Sequence, residues 1–202
     1  MYTLVGSPAT RAFRVMWCLE ELGENYEMVS ASPRSEEIKK HNPAGKVPAL
    51  LVDDEVILDS VAIIQFLADR HEKLTFKPGT IERARQDSWT HFALDELDSV
   101  LWTAARHSFV LPEEMRIEAI KPVAQFEFEK AVQTLETRLG DNQFVMGDTF
   151  TIADIVITHC INWAEWGYKW PVSSQTVSDY LTRTRARPAF QKVMEMRKAA
   201  SS

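Results

Sequence analysis

Residues 2–29, YTLVGSPATRAFRVMWCLEELGENYEMV, decide the fold. Tyr2 to Val5 form a short β-rich run, and the turn cluster Gly6-Ser7-Pro8 ends it. Beyond the turn Ala12, Val15, Leu19 and Leu22 keep helical spacing, and Gly23 stands where a helix closes on a left-handed residue. Tyr26-Glu27-Met28-Val29 then alternates polar and apolar side chains, the pattern of a half-buried second strand. The opening therefore predicts β-α-β.

Residues 32–45 are polar and carry Pro33 and Pro43, which predicts a loop with a short helix over 35–40. The apolar run Val47-Pro48-Ala49-Leu50-Leu51-Val52 and the run Val56-Ile57-Leu58 flank Asp53-Asp54-Glu55, and two such runs read as an antiparallel hairpin. Ser60 is placed to cap a following helix, whose apolar stripe of Ile63, Phe66 and Leu67 lasts until His71 and Glu72. The first domain is expected over 1–76 in the order β-α-β-α-β-β-α. The breakers in Lys77-Pro78-Gly79-Thr80 make 77–80 a linker, and 81–202 is expected to be all-helical.

Within that second segment Leu94, Leu97 and Leu101 mark one long helix. Phe128, Val132, Leu135 and Leu139 mark another, which stops at Gly140 and has Pro122 near its start. Phe150-Thr151-Ile152-Ala153-Asp154-Ile155 carries a capping box with Asp in place of Glu, flanked by a hydrophobic staple, and so begins a buried helix through Ile155, Ile157, Cys160 and Ile161.

A chain of 202 residues makes one or two compact units, and its 23 basic against 29 acidic side chains leave a net charge of −6. That balance, with no Lys/Arg stripe, speaks against nucleic acid as a partner. Cys18 and Cys160 lie far apart and belong to no metal-ligand spacing, so neither a disulfide framework nor a metal site is expected. The first residues show no signal-peptide pattern and no apolar run is long enough to cross a bilayer. The expected chain is cytoplasmic, neither secreted nor membrane-bound.

Three places invite chemistry. A helix that begins straight after a strand offers amide donors and a positive dipole end to an anion or thiolate, and Ser7 and Thr10 stand there with hydroxyls that can lower a thiol's pKa. The same hydroxyls also suit ordinary helix caps. Val47-Pro48 lies at the mouth of a hairpin strand, a place for a cis bond that leaves the Val47 backbone open to an extended peptide, although an edge-strand proline fits there too. Asp59-Ser60 opens a helix with donors for a carboxylate and an acceptor for an ammonium group, or simply caps it.

Together, Ser7-Pro8-Ala9-Thr10-Arg11, Arg14-Val15-Met16-Trp17-Cys18-Leu19-Glu20-Glu21-Leu22-Gly23, Asn42-Pro43-Ala44-Gly45-Lys46-Val47-Pro48-Ala49-Leu50 and Leu58-Asp59-Ser60-Val61-Ala62-Ile63 closely resemble a cytosolic glutathione transferase. Thr151-Ile152-Ala153-Asp154 and Arg187-Pro188-Ala189-Phe190 resemble that family's helical domain. The resemblance spans essentially the whole chain. It implies a thioredoxin-like N-terminal domain, an all-α C-terminal domain, a homodimer, glutathione as co-substrate and a detoxifying conjugation.

Position by position, the resemblance implies that Val47 pairs with the cysteinyl part of glutathione beside a cis Pro48, and that Asp59 and Ser60 hold its γ-glutamyl end. The family more often has Glu where this chain has Asp59. Lys46 is implied near the glycyl carboxylate, with Arg34 and His41 as further candidates. For the catalytic hydroxyl, the Pro8-to-Arg14 spacing resembles the phi-like and bacterial pattern and favours Thr10, whereas the tau-like pattern would use Ser7. The turn contains neither Tyr nor Cys, which argues against tyrosine-type and cysteine-type members.

The second substrate is expected in a cleft between the domains, where pockets preferentially form. Trp102, Arg106 and Phe109 lie towards the end of the long helix, and Trp163, Trp166, Tyr168 and Trp170 crowd a short later stretch. Trp163 and Trp166 join Trp102, Arg106 and Phe109 as candidates for a hydrophobic electrophile. The leading expectation is thiolate activation and conjugation. The alternatives are a glutathione-dependent disulfide reductase or peroxidase, and a non-catalytic glutathione-binding protein of the same fold. Acidic Asp95 and Asp98 on the long helix, alongside basic side chains in the first domain, accompany the expected homodimer.

Overall fold

Leu4 and Val5 are fully buried in the opening strand β1 (Tyr2–Gly6), and strands pair with it on both sides. In the computed structural model, which describes residues 1–200, β2 (Tyr26–Ser30) runs parallel to β1. β3 (Ala49–Val52) runs antiparallel on the other side and pairs with β4 (Glu55–Leu58), giving the order β2-β1-β3-β4. α1 (Ala12–Leu22) connects β1 to β2, α2 (Glu36–Lys39) precedes β3, and α3 (Ser60–His71) follows β4. The succession is the expected β-α-β-α-β-β-α. As an edge strand, β2 leaves Glu27, Met28 and Ser30 exposed, so it is less buried than its alternation predicts.

The remaining helices are α4 (Ile81–Phe92), α5 (Ser99–Ala105), α6 (Ile120–Leu139), α7 (Ile152–Trp163), α8 (Gln175–Arg185) and α9 (Pro188–Ala199). The chain divides into two compact units, residues 1–78 with 185–202, and residues 79–184. The final helix thus packs with the first unit, whereas the sequence assigned everything from 81 onward to one helical domain. The reason lies on α1. Phe190 of α9 stacks edge-on against Phe13 and Trp17, Arg187 makes a bidentate pair with Glu21 at 2.6 and 2.7 Å, and Lys192 pairs with Glu20 at 2.6 Å. Covered by α3 on one side and α9 on another, α1 is buried continuously from Ala12 to Leu19, Arg14 included.

In the second unit α4, a π-helical stretch over Ala93–Asp98, α5 and a second π-helical stretch over Arg106–Val110 form one unbroken helical run. Leu97 and Leu101 are buried along it, as expected. Asp98 is buried as well and lies 3.8 Å from the Cys160 thiol, so only Asp95 of the two acids proposed for a subunit surface faces solvent. Pro122 occupies the first turn of α6, where a missing N–H removes no helical bond. The capping box at Thr151 forms and α7 is buried almost all round. Asp154 is fully buried and its carboxylate accepts from the N–H groups of Thr151 and Val145 and from the Tyr180 hydroxyl, at 2.8, 3.0 and 3.0 Å. Among the described residues the second unit has no strand, only isolated bridges at 144–149, and no helix formed by the described residues is long and apolar enough to cross a membrane.

Candidate functional site

Strand register gathers the candidate residues of the first unit. Val5 faces Ala49 and Ala49 faces Leu58, so the three strands end in one row. The residues just beyond that row are Ser7 after β1, Val47-Pro48 before β3 and Asp59-Ser60 after β4, and all therefore lie along one edge of the sheet. Gly6 permits this closeness, since a Cβ there would meet the Ala12 Cβ at 2.8 Å and Pro48 at 3.8 Å.

The Val47–Pro48 bond is cis, as its position suggested. Val47 lies outside the ladder, and among the described residues its backbone N–H and C=O have no partner. Asn42 shapes the approach to it, donating from Nδ2 to the Lys46 carbonyl at 2.9 Å and accepting the Ala44 N–H at 3.0 Å. Asn42 opens the family-like stretch 42–50 but carries no site role in the sequence reading, although Asn-Pro is a turn signal. Gly45 has a φ of 64° and comes so close to Arg34 that a Cβ would meet the Arg34 Cα at 3.1 Å. Arg34 donates its N–H to the Gly45 carbonyl at 2.7 Å, bringing two exposed cations, Arg34 and Lys46, to neighbouring backbone positions. His41 lies just past the end of α2, its ring nitrogen 4.0 Å from Glu37 of that helix.

The turn 7–10 separates the two hydroxyls. Thr10 donates its hydroxyl to the Ser7 carbonyl at 2.7 Å and accepts the Ala12 N–H at 3.2 Å, so this group holds the turn together. Backbone donors in the turn are also taken: Ala9 N–H reaches Ser7 Oγ at 3.3 Å, Thr10 N–H the Ser7 carbonyl and Phe13 N–H the Thr10 carbonyl, both at 3.0 Å. The Ser7 hydroxyl proton has no acceptor among the described residues. Of the turn's two hydroxyls it is the one left available as a donor, a distinction that residue spacing does not reveal.

At the third point Asp59, not Ser60, caps α3, accepting the Val61 and Ala62 N–H groups on Oδ1 at 2.9 and 3.1 Å. Ser60 is displaced from the cap because it is already the first helical residue, buried to 2% exposure, with its Oγ accepting from Arg14 Nη1 at 3.3 Å. Asp59 itself is exposed with a φ of 71°, a left-handed conformation unusual outside glycine and one that tends to occur at functional positions. Its Oδ2 has no partner among the described residues. Together the edge offers an open backbone pair flanked by two cations and a hydroxyl donor, and an exposed carboxylate beside the donors of a helix N-terminus, a set matched to an extended peptide with charged ends.

In the second unit Tyr168 and Trp170 stack at 4.7 Å, Trp170 packs against Phe128, and Tyr168 donates to the Leu101 carbonyl at 3.2 Å. That pair therefore belongs to the core. Trp102, Trp163 and Trp166 are half-buried, while Arg106 and Phe109 are exposed, with Arg106 donating to Thr103 at 3.1 Å. Cys18 is fully buried and burial pushes its thiol far up, so it remains protonated and out of reach. Among the described residues no group of three or more His, Cys, Asp or Glu side chains could hold a metal ion.

Comparison with known proteins identifies the family. Residues 10–70 match the model of the glutathione S-transferase N-terminal domain, and residues 118–194 match that of its C-terminal domain. Glutathione S-transferase GstA of Escherichia coli O157:H7 is 31% identical over 155 residues, 72% of this chain and 74% of that protein. Elongation factor 1-gamma 1 of Oryza sativa subsp. japonica is 30% identical over 145 residues, 68% of this chain but 32% of that protein, so the chain spans about a third of that relative. The crystal structure of a glutathione transferase of Phanerochaete chrysosporium in complex with oxidized glutathione has a TM-score of 0.83 at 25% identity, covering 98% of this chain and 96% of that one. With its N-terminal thioredoxin-like sheet, its helical C-terminal segment and a relative this similar over most of both chains, the protein belongs to the glutathione S-transferase family.

Proposed function

We propose that this protein binds glutathione along the sheet edge, stabilises its thiol as a thiolate and conjugates it to a hydrophobic electrophile. The thiol proton leaves to solvent, the sulfur electron pair forms the new S–C bond, and in a substitution the leaving group departs with the pair that bound it. The observation that carries the reading is the convergence of the Ser7 hydroxyl, the open Val47 backbone and Asp59-Ser60 on one row of strand ends. In this reading Val47 pairs with the cysteinyl residue beside Pro48. Asp59 takes the γ-glutamyl ammonium, Ser60 takes the γ-glutamyl carboxylate, and Lys46 with Arg34 faces the glycyl carboxylate. His41 is a weaker member of that set because of its contact with Glu37.

We assign the thiolate donor to Ser7 and give Thr10 the task of holding the turn, since the Thr10 proton already has an acceptor. Trp102, Arg106, Phe109, Trp163 and Trp166 are the side chains assigned to the electrophile, with Phe109, 65% exposed, the most open apolar one. A cytoplasmic homodimer completes the proposal.

The similarity to elongation factor 1-gamma favours one other reading, a non-catalytic member of the family. Retention on immobilised glutathione followed by assays with an aryl halide, a hydroperoxide and a mixed disulfide separates the possibilities. Conjugation of the aryl halide supports the proposal. Turnover of only the hydroperoxide or disulfide would move the chain to the reductase or peroxidase reading, and retention without turnover to the binding one.

A further inference from the structure

Arg14 is fully buried in α1, off that helix's apolar stripe. Burying a guanidinium costs stability, and apolar residues of similar volume commonly serve a core as well or better, so packing alone does not account for it. One of its contacts lies at the start of α3, where Nη1 donates to Ser60 Oγ at 3.3 Å. A guanidinium has only donors, so in this contact the serine oxygen must accept. The single Ser60 hydroxyl proton is thereby turned away from Arg14, and among the described residues nothing accepts it. The Ser60 N–H, at the first position of a helix of 12 residues, likewise has no acceptor there.

We propose that Arg14 is a positioning residue for the γ-glutamyl carboxylate of glutathione: by occupying the acceptor side of Ser60 it commits that hydroxyl to donate to the ligand. The inference rests on the glutathione-binding reading above. Hydroxyl, amide and helix dipole then present one polarity to the ligand, with a buried cation behind them, and an anion is selected over a neutral group of the same shape.

The test compares glutathione with the analogue whose γ-glutamyl α-carboxylate is a primary amide. Each is titrated calorimetrically into wild type, Arg14→Met, Arg14→Lys, Ser60→Ala and the Arg14→Lys/Ser60→Ala double variant. The readout is the ratio of the two affinities, which loss of packing alone would leave unchanged. Arg14→Met should lower the preference for the carboxylate about tenfold, the worth of one charge-assisted hydrogen bond. Arg14→Lys, which keeps a donor but not the planar fork, should lower it less. In the Ser60→Ala background Arg14→Lys should add no further change. An unchanged ratio in Arg14→Met overturns the inference, as does an equal effect of Arg14→Lys with and without Ser60. If Arg14→Met does not fold, an unchanged ratio in Arg14→Lys overturns it. Wild type that binds neither ligand overturns the glutathione reading itself, whereas binding with an unaltered ratio leaves that reading standing and removes only the role of Arg14.

Discussion

Replacing Ser7 with Ala tests the thiolate donor. The turn would lose little, because Ser7 contributes its carbonyl, not its hydroxyl, to the two stronger bonds with Thr10, and its Oγ accepts only the 3.3 Å contact from Ala9. The bound thiolate would lose a hydrogen bond to a charged acceptor, worth about 1.5–3 kcal/mol. At about 1.4 kcal/mol per pKa unit, the thiol of bound glutathione should rise by roughly 1–2 units in Ser7→Ala. The ultraviolet absorbance of the thiolate, followed against pH with glutathione saturating, gives the value directly. Glutathione affinity measured below the thiol pKa should barely change, since the backbone of Val47 and the charged ends carry it. Thr10→Val is the control. It removes two turn bonds and should cost about 1–2 kcal/mol of stability while moving the thiol pKa less than Ser7→Ala does. A shift in Thr10→Val alone would refute the reasoning. No shift in either variant would transfer the role to backbone amides.

Burial pushes the Asp154 carboxyl up to about 6, against the lowering effect of its bonds from Val145, Thr151 and Tyr180. The folded chain therefore holds this proton more tightly than the unfolded one. The stability it contributes is full below about 4 and is lost as pH rises through about 6. Melting temperature against pH should show wild type losing ground relative to Asp154→Asn across that window, and parallel curves would contradict the assignment. Asp154→Ala should cost at least about 3 kcal/mol in denaturant unfolding, because four buried donors, the N–H groups of Val145 and Thr151 and the hydroxyls of Thr151 and Tyr180, lose their acceptor. Phe190→Ala should destabilise the first unit by about 3–5 kcal/mol by emptying the space against Phe13 and Trp17. Sedimentation at micromolar concentration should give twice 23.1 kDa, and a clean monomer would remove the homodimer.

Local signals made most of the first unit readable from its residues. Period-two and helical spacing, the breakers around Ser7-Pro8 and Lys77-Pro78-Gly79, and Gly23, which ends α1 with a φ of 76°, are determined by neighbours in sequence. The capping box at Thr151 and the cis bond at Pro48 were readable for the same reason. What spacing could not show depends on tertiary contact. Arg14 looks like a solvent-facing helix residue until α3 and α9 cover α1. The chain break before α9 reads as the tail of a helical domain, because nothing local says that Phe190 will insert beside Trp17. Ser60 and Asp59 are both good caps, and only the backbone geometry decides that the aspartate fills the role. The choice between Ser7 and Thr10 turns on where one hydroxyl proton points, which residue identity does not encode.

Glutathione binding at Asp59 is the most direct test of the account. Asp59→Asn keeps an oxygen able to cap α3 and a residue type tolerant of positive φ, but removes the charge offered to the ligand's ammonium group. Calorimetric titration should show one glutathione bound per chain in wild type. The variant should bind at least about tenfold more weakly, the equivalent of 1.4 kcal/mol or more, at an unchanged melting temperature. Equal affinity in the two proteins, or no binding of glutathione to wild type, would contradict the account.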